Sequence, residues 1–150
     1  MRSGTLNAPG IVGCGAAAAL ASAAMPEEVP RLCGLRDRLL AGLRAVDGVG
    51  LNGHPVRRLP HNAHVSVAGC DGEALLFSLD MAGVAASAGS ACQSGAATPS
   101  HVLAAIGAAP DAAHLRFTCG RTTTEADVDG AITAFRDAVA SLRRAGGGYI

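Results

Sequence analysis

The sequence predicts an α+β domain of two layers (an α/β two-layer arrangement), a short sheet covered by helices, and three observations carry that reading. Apolar residues recur at helical spacing near both ends of the chain, they alternate with period two in the middle, and cap or turn residues mark each change of period. At 150 residues the chain has the size of one ordinary domain, or of one large lobe of a bigger enzyme, and can bury a core without disulfides.

The first helix is expected to start after Pro9-Gly10 and to run to Met25, where Pro26 stops it. A second follows Pro30, with Leu32, Leu35, Leu39, Leu43 and Val46 on one stripe, Arg31, Arg38 and Arg44 away from it, and Gly48 closing it. From Val49 the period changes. The run VGLNGHPVRRLP reads as short strands around an Asn-Gly turn, and NAHVSVAG sets Val65 and Val67 against His64 and Ser66. Asp71 is a good N-cap for GEALLFSLDMAG, which Gly83 ends, and VAAS at 84 to 87 reads as a short strand. Thr98-Pro99 starts a short helix, PSHVLAAIGA, with the proline where its missing N–H costs nothing. HLRFTC is a strand. The last helix, TEADVDGAITAFRDAVASLRRA, turns Val128, Ile132, Phe135, Val139 and Leu142 inward and opens on a Thr124/Asp127 capping box. The expected order is ααβββαβ, a loop, then αβα, with a fraying tail over residues 146–150.

Composition narrows the function. Much of the apolar share of 49% is alanine, so packing rests on Leu, Val, Ile and small helix faces. Twelve basic and twelve acidic residues leave no net charge and no basic block, which argues against nucleic acid as a partner. Ile11–Met25 is alanine-rich, short and weakly apolar for a bilayer span, and makes a poor signal peptide, so no membrane and a cytoplasmic location are expected. Five scattered cysteines without a CxxC pair argue against a zinc site and a disulfide framework, and no metal is expected. All twelve basic residues are arginines. With no lysine, no side chain here can form a Schiff base.

Three places could carry chemistry. Cys92 sits in SAGSACQSGAATPSHVL between Gly89 and Gly95, a setting in which a thiol can move and be reached, although loop cysteines are often incidental. Cys14 and Cys33 fall in helices, Cys70 at a strand end, and Cys119 ends an apolar strand, where cysteine is usually a buried hydrophobe. Arg116, flanked by Leu115 and Phe117, either pairs with a carboxylate of the fold or faces a cleft where its planar fork captures a substrate carboxylate. The five histidines show no metal-ligand spacing, and ordinary surface or core roles are expected of them. In RSGTLNAPGIVG, backbone N–H groups and a hydroxyl ahead of a helix could hold a phosphate, as many loops could.

The runs RSGTLNAPGIVG, LNG, RLPHNAHVSV, DGEALLFSLDMAGVAASAGSACQSG, PSHVL and LRFTCGRTTTEADVD together resemble the carboxy-terminal part of the cysteine desulfurases, the IscS/NifS-like group of class V aminotransferase-related enzymes. They cover nearly the whole chain in the family's order, and the long loop around Cys92 resembles the first group of these enzymes rather than the Suf-type group. The resemblance implies the small C-terminal domain of fold-type I transferases that use pyridoxal phosphate. It implies that residues 1–25 join the larger cofactor domain, that residues 26–145 form the small domain with a catalytic-cysteine loop at 87–98, and that residues 146–150 are a flexible tail.

It also implies roles. Cys92 would take sulfur from L-cysteine as a persulfide, leaving alanine, and pass it to an acceptor such as an iron–sulfur scaffold or to thio-cofactor or tRNA thiolation pathways. Arg116 would bind the substrate carboxylate, and Thr5 would reach the cofactor phosphate of the other subunit of a homodimer. Cys119 stands where the family commonly has Leu, and Cys14 where an apolar residue is usual, so neither inherits a role. The Schiff-base lysine, the Asp on the pyridine nitrogen and the His on the ring belong to the cofactor domain, expected upstream of RSGTL. The chain is therefore expected to be a fragment or misplaced start of a full enzyme, one half of a split enzyme or a stand-alone remnant, the first two favoured, inactive alone, with a cofactor-domain half or a full-length homodimer as partner. A non-enzymatic persulfide carrier or dimerisation module is the alternative.

Overall fold

The computed structural model describes residues 4–88 and 100–146. Along the chain run α1 (Ala8–Arg44), β1 (Val49–Leu51), β2 (Asn62–Val67), α2 (Gly72–Met81), α3 (His101–Ala105), β3 (Ala113–Thr118) and α4 (Glu125–Gly146). The strands form one antiparallel sheet in the order β1-β2-β3. Helix α1 packs on β1 and β2, α2 packs on β3, and α4 packs on both helices. The α+β layer expected from the periodicity is the one observed.

The period-two alternation splits the sheet into two unlike faces. Ala63, Val65 and Val67 of β2 and Ala113, Leu115 and Phe117 of β3 are buried against the helices. Asn62, His64, Ser66, His114, Arg116 and Thr118 occupy the alternate positions, on the polar face. Leu35, Leu39 and Leu43 of the expected stripe are buried, and so is Leu40 beside them. Phe135 of α4 is fully buried and meets Phe117 edge to face at 6.2 Å. Side chains of this kind stabilise the fold by roughly 1.5–3 kcal/mol each. Asp71 accepts from the Ala74 N–H at 2.8 Å as the N-cap of α2. The Thr124/Asp127 box closes reciprocally, Thr124 N–H to Asp127 Oδ2 at 2.8 Å and Asp127 N–H to Thr124 Oγ1 at 3.2 Å.

Several expectations are corrected. The break at Pro26 does not occur: α1 is one helix of 37 residues with Pro26 and Pro30 inside it. Each proline removes one hydrogen bond and crowds the carbonyl four residues back. Those carbonyls belong to Ser22 and Pro26, which lie on the exposed part of the helix where water can satisfy them. The helix begins at Ala8, ahead of Pro9, with Asn7 as the N-cap accepting from Gly10 N–H at 3.1 Å. Continuity also lengthens the apolar stretch. By length and composition α1 is long enough to cross a bilayer, with a window of mean hydropathy 1.5 that is wholly exposed, whereas Ile11–Met25 taken alone is too short.

The run after the Asn52-Gly53 turn forms no second strand, although Gly53 has the expected positive φ of 82°. Its backbone is held instead by side chains. His54 Nδ1 accepts from the Val56 and Arg57 N–H groups, Arg58 donates to Asn52 O, and the buried Arg36 donates to Leu59 O. VAAS reduces to a single bridge between Ser87 and Arg116. The short helix is described only from His101, and Thr98 and Pro99 lie outside the described residues.

Candidate active site

Arg116 lies in the middle of β3 with neighbours on both sides. Toward one side its N–H donates to Ser87 O at 2.7 Å and its carbonyl accepts from Ser87 N–H at 3.1 Å, while Nη2 reaches Ser87 Oγ at 3.4 Å. Toward the other side it stands opposite His64 of β2. Both backbone groups of Arg116 are turned to Ser87, and the His64 carbonyl accepts from Asn52 N–H at 2.9 Å on the β1 side. His64 and Arg116 are therefore a non-hydrogen-bonded antiparallel pair, the type with the closest side chains.

The surroundings of this pair are polar and cationic. Ser66 Oγ donates to Asn52 Oδ1 at 3.2 Å, Asn52 Nδ2 lies 3.3 Å from His114 Nδ1, and His114 Nε2 lies 3.0 Å from Ala109 O. The Ala109 carbonyl can only accept, so His114 carries its proton on Nε2 and receives the Asn52 amide on Nδ1. The His64 ring lies 6.1 Å from that of His114, its Nε2 buried without a hydrogen-bond partner among the described residues, as are Nε and Nη1 of Arg58. Burial first, then His114, Arg116 and Arg58, holds the His64 imidazole down at about 4, so it is neutral at pH 7. Burial, with Arg36 close by, also lowers Arg58. Half-buried Arg116 thus stands opposite a neutral imidazole and beside Ser87, and a planar guanidinium is the side chain best suited to pairing with an anion.

The other sequence candidates fall elsewhere. Cys92 lies outside the described residues; the stem that leads to it, Ser87, is bonded to Arg116. Thr5 is exposed in the loop before α1. The first buried residue of that helix is Leu35, and at 1.5 Å per residue it lies about 40 Å along the axis from the helix start. Thr5 and Arg116 of one chain are not brought together. Cys119 is buried, and burial pushes its thiol up, in keeping with a core role, while Cys14 is exposed on α1. Sequence reasoning missed His64. The one signal available was its place on the polar side of the NAHVSV alternation, since the register that sets it opposite Arg116 is a tertiary fact.

The family model for Aminotransferase class-V matches residues 1–130. The chain belongs to this family. Among class-V relatives, cysteine desulfurase IscS 1 of Archaeoglobus fulgidus is 43% identical over 145 residues, 95% of this chain and 38% of that protein. The IscS-like cysteine desulfurase of Mycobacterium tuberculosis is 47% identical over 149 residues, 97% of this chain and 38% of that protein. The X-ray structure of a NifS-like protein from Rickettsia africae superposes with a TM-score of 0.80 at 27% identity, over 93% of this chain and 36% of that one. The chain thus spans a little over a third of the length of the class-V relatives it matches.

Proposed function

We propose that this chain is the carboxy-terminal lobe of a cysteine desulfurase, in which Arg116 holds the carboxylate of L-cysteine and Cys92 takes its sulfur. One observation carries the reading: the stem of the Cys92 segment is bonded, backbone to backbone, to the strand that presents Arg116. Cys92 follows Ser87 by five residues, so covalent connection alone keeps it within about 18 Å of that bridge. A thiol tethered there can serve a substrate anchored on Arg116.

The residues present fit only part of a pyridoxal phosphate site. No lysine exists to hold the cofactor covalently. Thr5 offers an exposed hydroxyl beside a helix start, suited to one phosphate contact. Its distance along α1 from the Arg116 site supports a contribution to the site of a second copy. The chemistry that the cofactor supplies when bound is electron withdrawal from the substrate's α-carbon.

The chain's own residues do the rest. Arg116 fixes the carboxylate with its planar fork, and the Cys92 thiolate attacks the substrate sulfur. A sulfur–sulfur bond forms on Cys92 as the substrate's carbon–sulfur bond breaks. The electron pair of that bond leaves with the three-carbon fragment, which takes up a proton to become alanine. The wholly exposed amino-terminal half of α1, with Ile11, Val12, Leu20 and Met25, is then a face covered by the cofactor domain rather than by lipid. The test is to combine this chain with a lysine-bearing cofactor half and measure alanine formed from L-cysteine under a thiol reductant. Formation that requires both parts and fails with Cys92→Ala supports the proposal, and formation indifferent to Cys92 overturns it.

A further inference from the structure

We infer that His64 is a positioning residue for Arg116, its imidazole holding the guanidinium in the orientation that receives the substrate carboxylate. The inference rests on the reading of Arg116 as the carboxylate ligand and adds to it the residue that orients it. Its geometric basis is the register: His64 and Arg116 oppose each other in a pair whose backbone groups both turn away, so their side chains share the space above the sheet. Like charges directly opposite one another in such a pair repel. A neutral planar imidazole can instead lie against a planar guanidinium.

The surroundings keep the ring neutral. The groups facing His64 are Arg116 and His114 from β3 and Arg58 from the loop after β1, each raising the cost of a positive charge there. Arg58 is itself close to Arg36 of α1, whose carboxylate partner is the largely exposed Asp37. His114 is tied through Asn52 to Ser66 and to the Ala109 carbonyl, which leaves it little freedom to turn toward His64. The buried Nε2 of His64 has no hydrogen-bond partner among the described residues that would account for a polar residue at this position. A positioning role requires a planar, polar and uncharged one.

The experiment uses the labelled 150-residue chain and nitrogen-detected NMR, with trifluoroacetate as a carboxylate that stays ionised throughout. Arg116 Nε–Hε is followed during trifluoroacetate titrations from pH 7 downward in the wild type, His64→Asn and His64→Ala, with the Leu115 amide reporting the fold at each pH. The expected result is that trifluoroacetate shifts the Arg116 signal, and that the response changes in the wild type with the His64 midpoint at about 4. His64→Asn should retain the response without that midpoint, and His64→Ala should bind about tenfold more weakly, from the loss of the planar surface that orients the guanidinium. Equal pH dependence in wild type and His64→Asn, or wild-type binding by His64→Ala, would overturn the inference. If His64→Ala fails to fold, the comparison with His64→Asn decides. No response at Arg116 in any form overturns the carboxylate assignment itself, a failure distinct from that of His64.

Discussion

Ser87 and Arg116 exchange both of their backbone hydrogen bonds, at 3.1 and 2.7 Å, so the chain five residues ahead of Cys92 is fixed to the strand that carries Arg116, the proposed carboxylate ligand. Arg116 should therefore act on substrate binding rather than on stability. In the chain combined with its cofactor half, Arg116→Lys keeps the charge but loses the fork, and should raise KM for L-cysteine by about 10–100-fold, the range of a charge-assisted hydrogen bond. The half-buried side chain lies outside the core, so the thermal midpoint should change little. Steady-state kinetics beside thermal melts check both statements.

Gly42 is the close-approach point of α1 and α4. A Cβ there would lie 2.5–2.7 Å from Cδ1, Cγ1 and Cγ2 of Ile132, and no rotation of that branched side chain removes all three contacts. Gly42→Ala should destabilise the chain by about 1–3 kcal/mol despite the better helix propensity of alanine. Adding Ile132→Ala should restore part of the loss. Urea midpoints of the two single variants and the double variant measure the coupling.

The folded chain resists protonation of His64, whose pKa falls from 6.5 to about 4. The unfolded state binds that proton more readily, so stability is full above pH 6.5 and declines as pH falls toward 4. Asp127, hydrogen-bonded by Thr124, and Asp129, hydrogen-bonded by Arg38, are both held below 3.8, so their contributions are lost at lower pH than this window. His64→Asn should flatten the thermal midpoint between pH 6.5 and 4 and leave the more acidic decline in place. Melts across both ranges separate the two.

The amino-terminal half of α1 carries no buried side chain between Ala8 and Glu27, whereas Leu35 to Leu43 anchor the other half. Helix without packing opens locally. In the 150-residue chain amides of residues 12–27 should exchange with solvent far faster than those of residues 35–43. Combining the chain with the cofactor half should slow exchange in residues 12–27 alone. Hydrogen-exchange mass spectrometry reads both segments in one experiment.

What the sequence makes legible follows from how local each cause is. The Leu35, Leu39, Leu43 stripe, the NAHVSV alternation, the Asp71 cap and the Thr124/Asp127 box are set by neighbours a few residues away, and each is found in the structure. Pro26 misled because a proline's cost depends on whether the freed carbonyl meets water, which is a matter of exposure. The run after Gly53 misled because Arg36, Arg58 and His54 hold its backbone in place of a strand partner. Arg116 could be singled out as a charge in an apolar strand. His64 could not, because nothing within β2 shows which residue of β3 faces it.

The central claim, that Cys92 takes sulfur from a cysteine anchored at Arg116, is tested most directly by mass. The chain combined with its cofactor half is given L-cysteine without reductant, alkylated, digested and examined for the peptide containing Cys92. The predicted result is the added mass of one sulfur atom on Cys92, abolished by Cys92→Ala and strongly reduced by Arg116→Ala, with no such addition on Cys14, Cys33, Cys70 or Cys119. Sulfur released while Cys92 stays unmodified, or carried on another cysteine, would contradict the account.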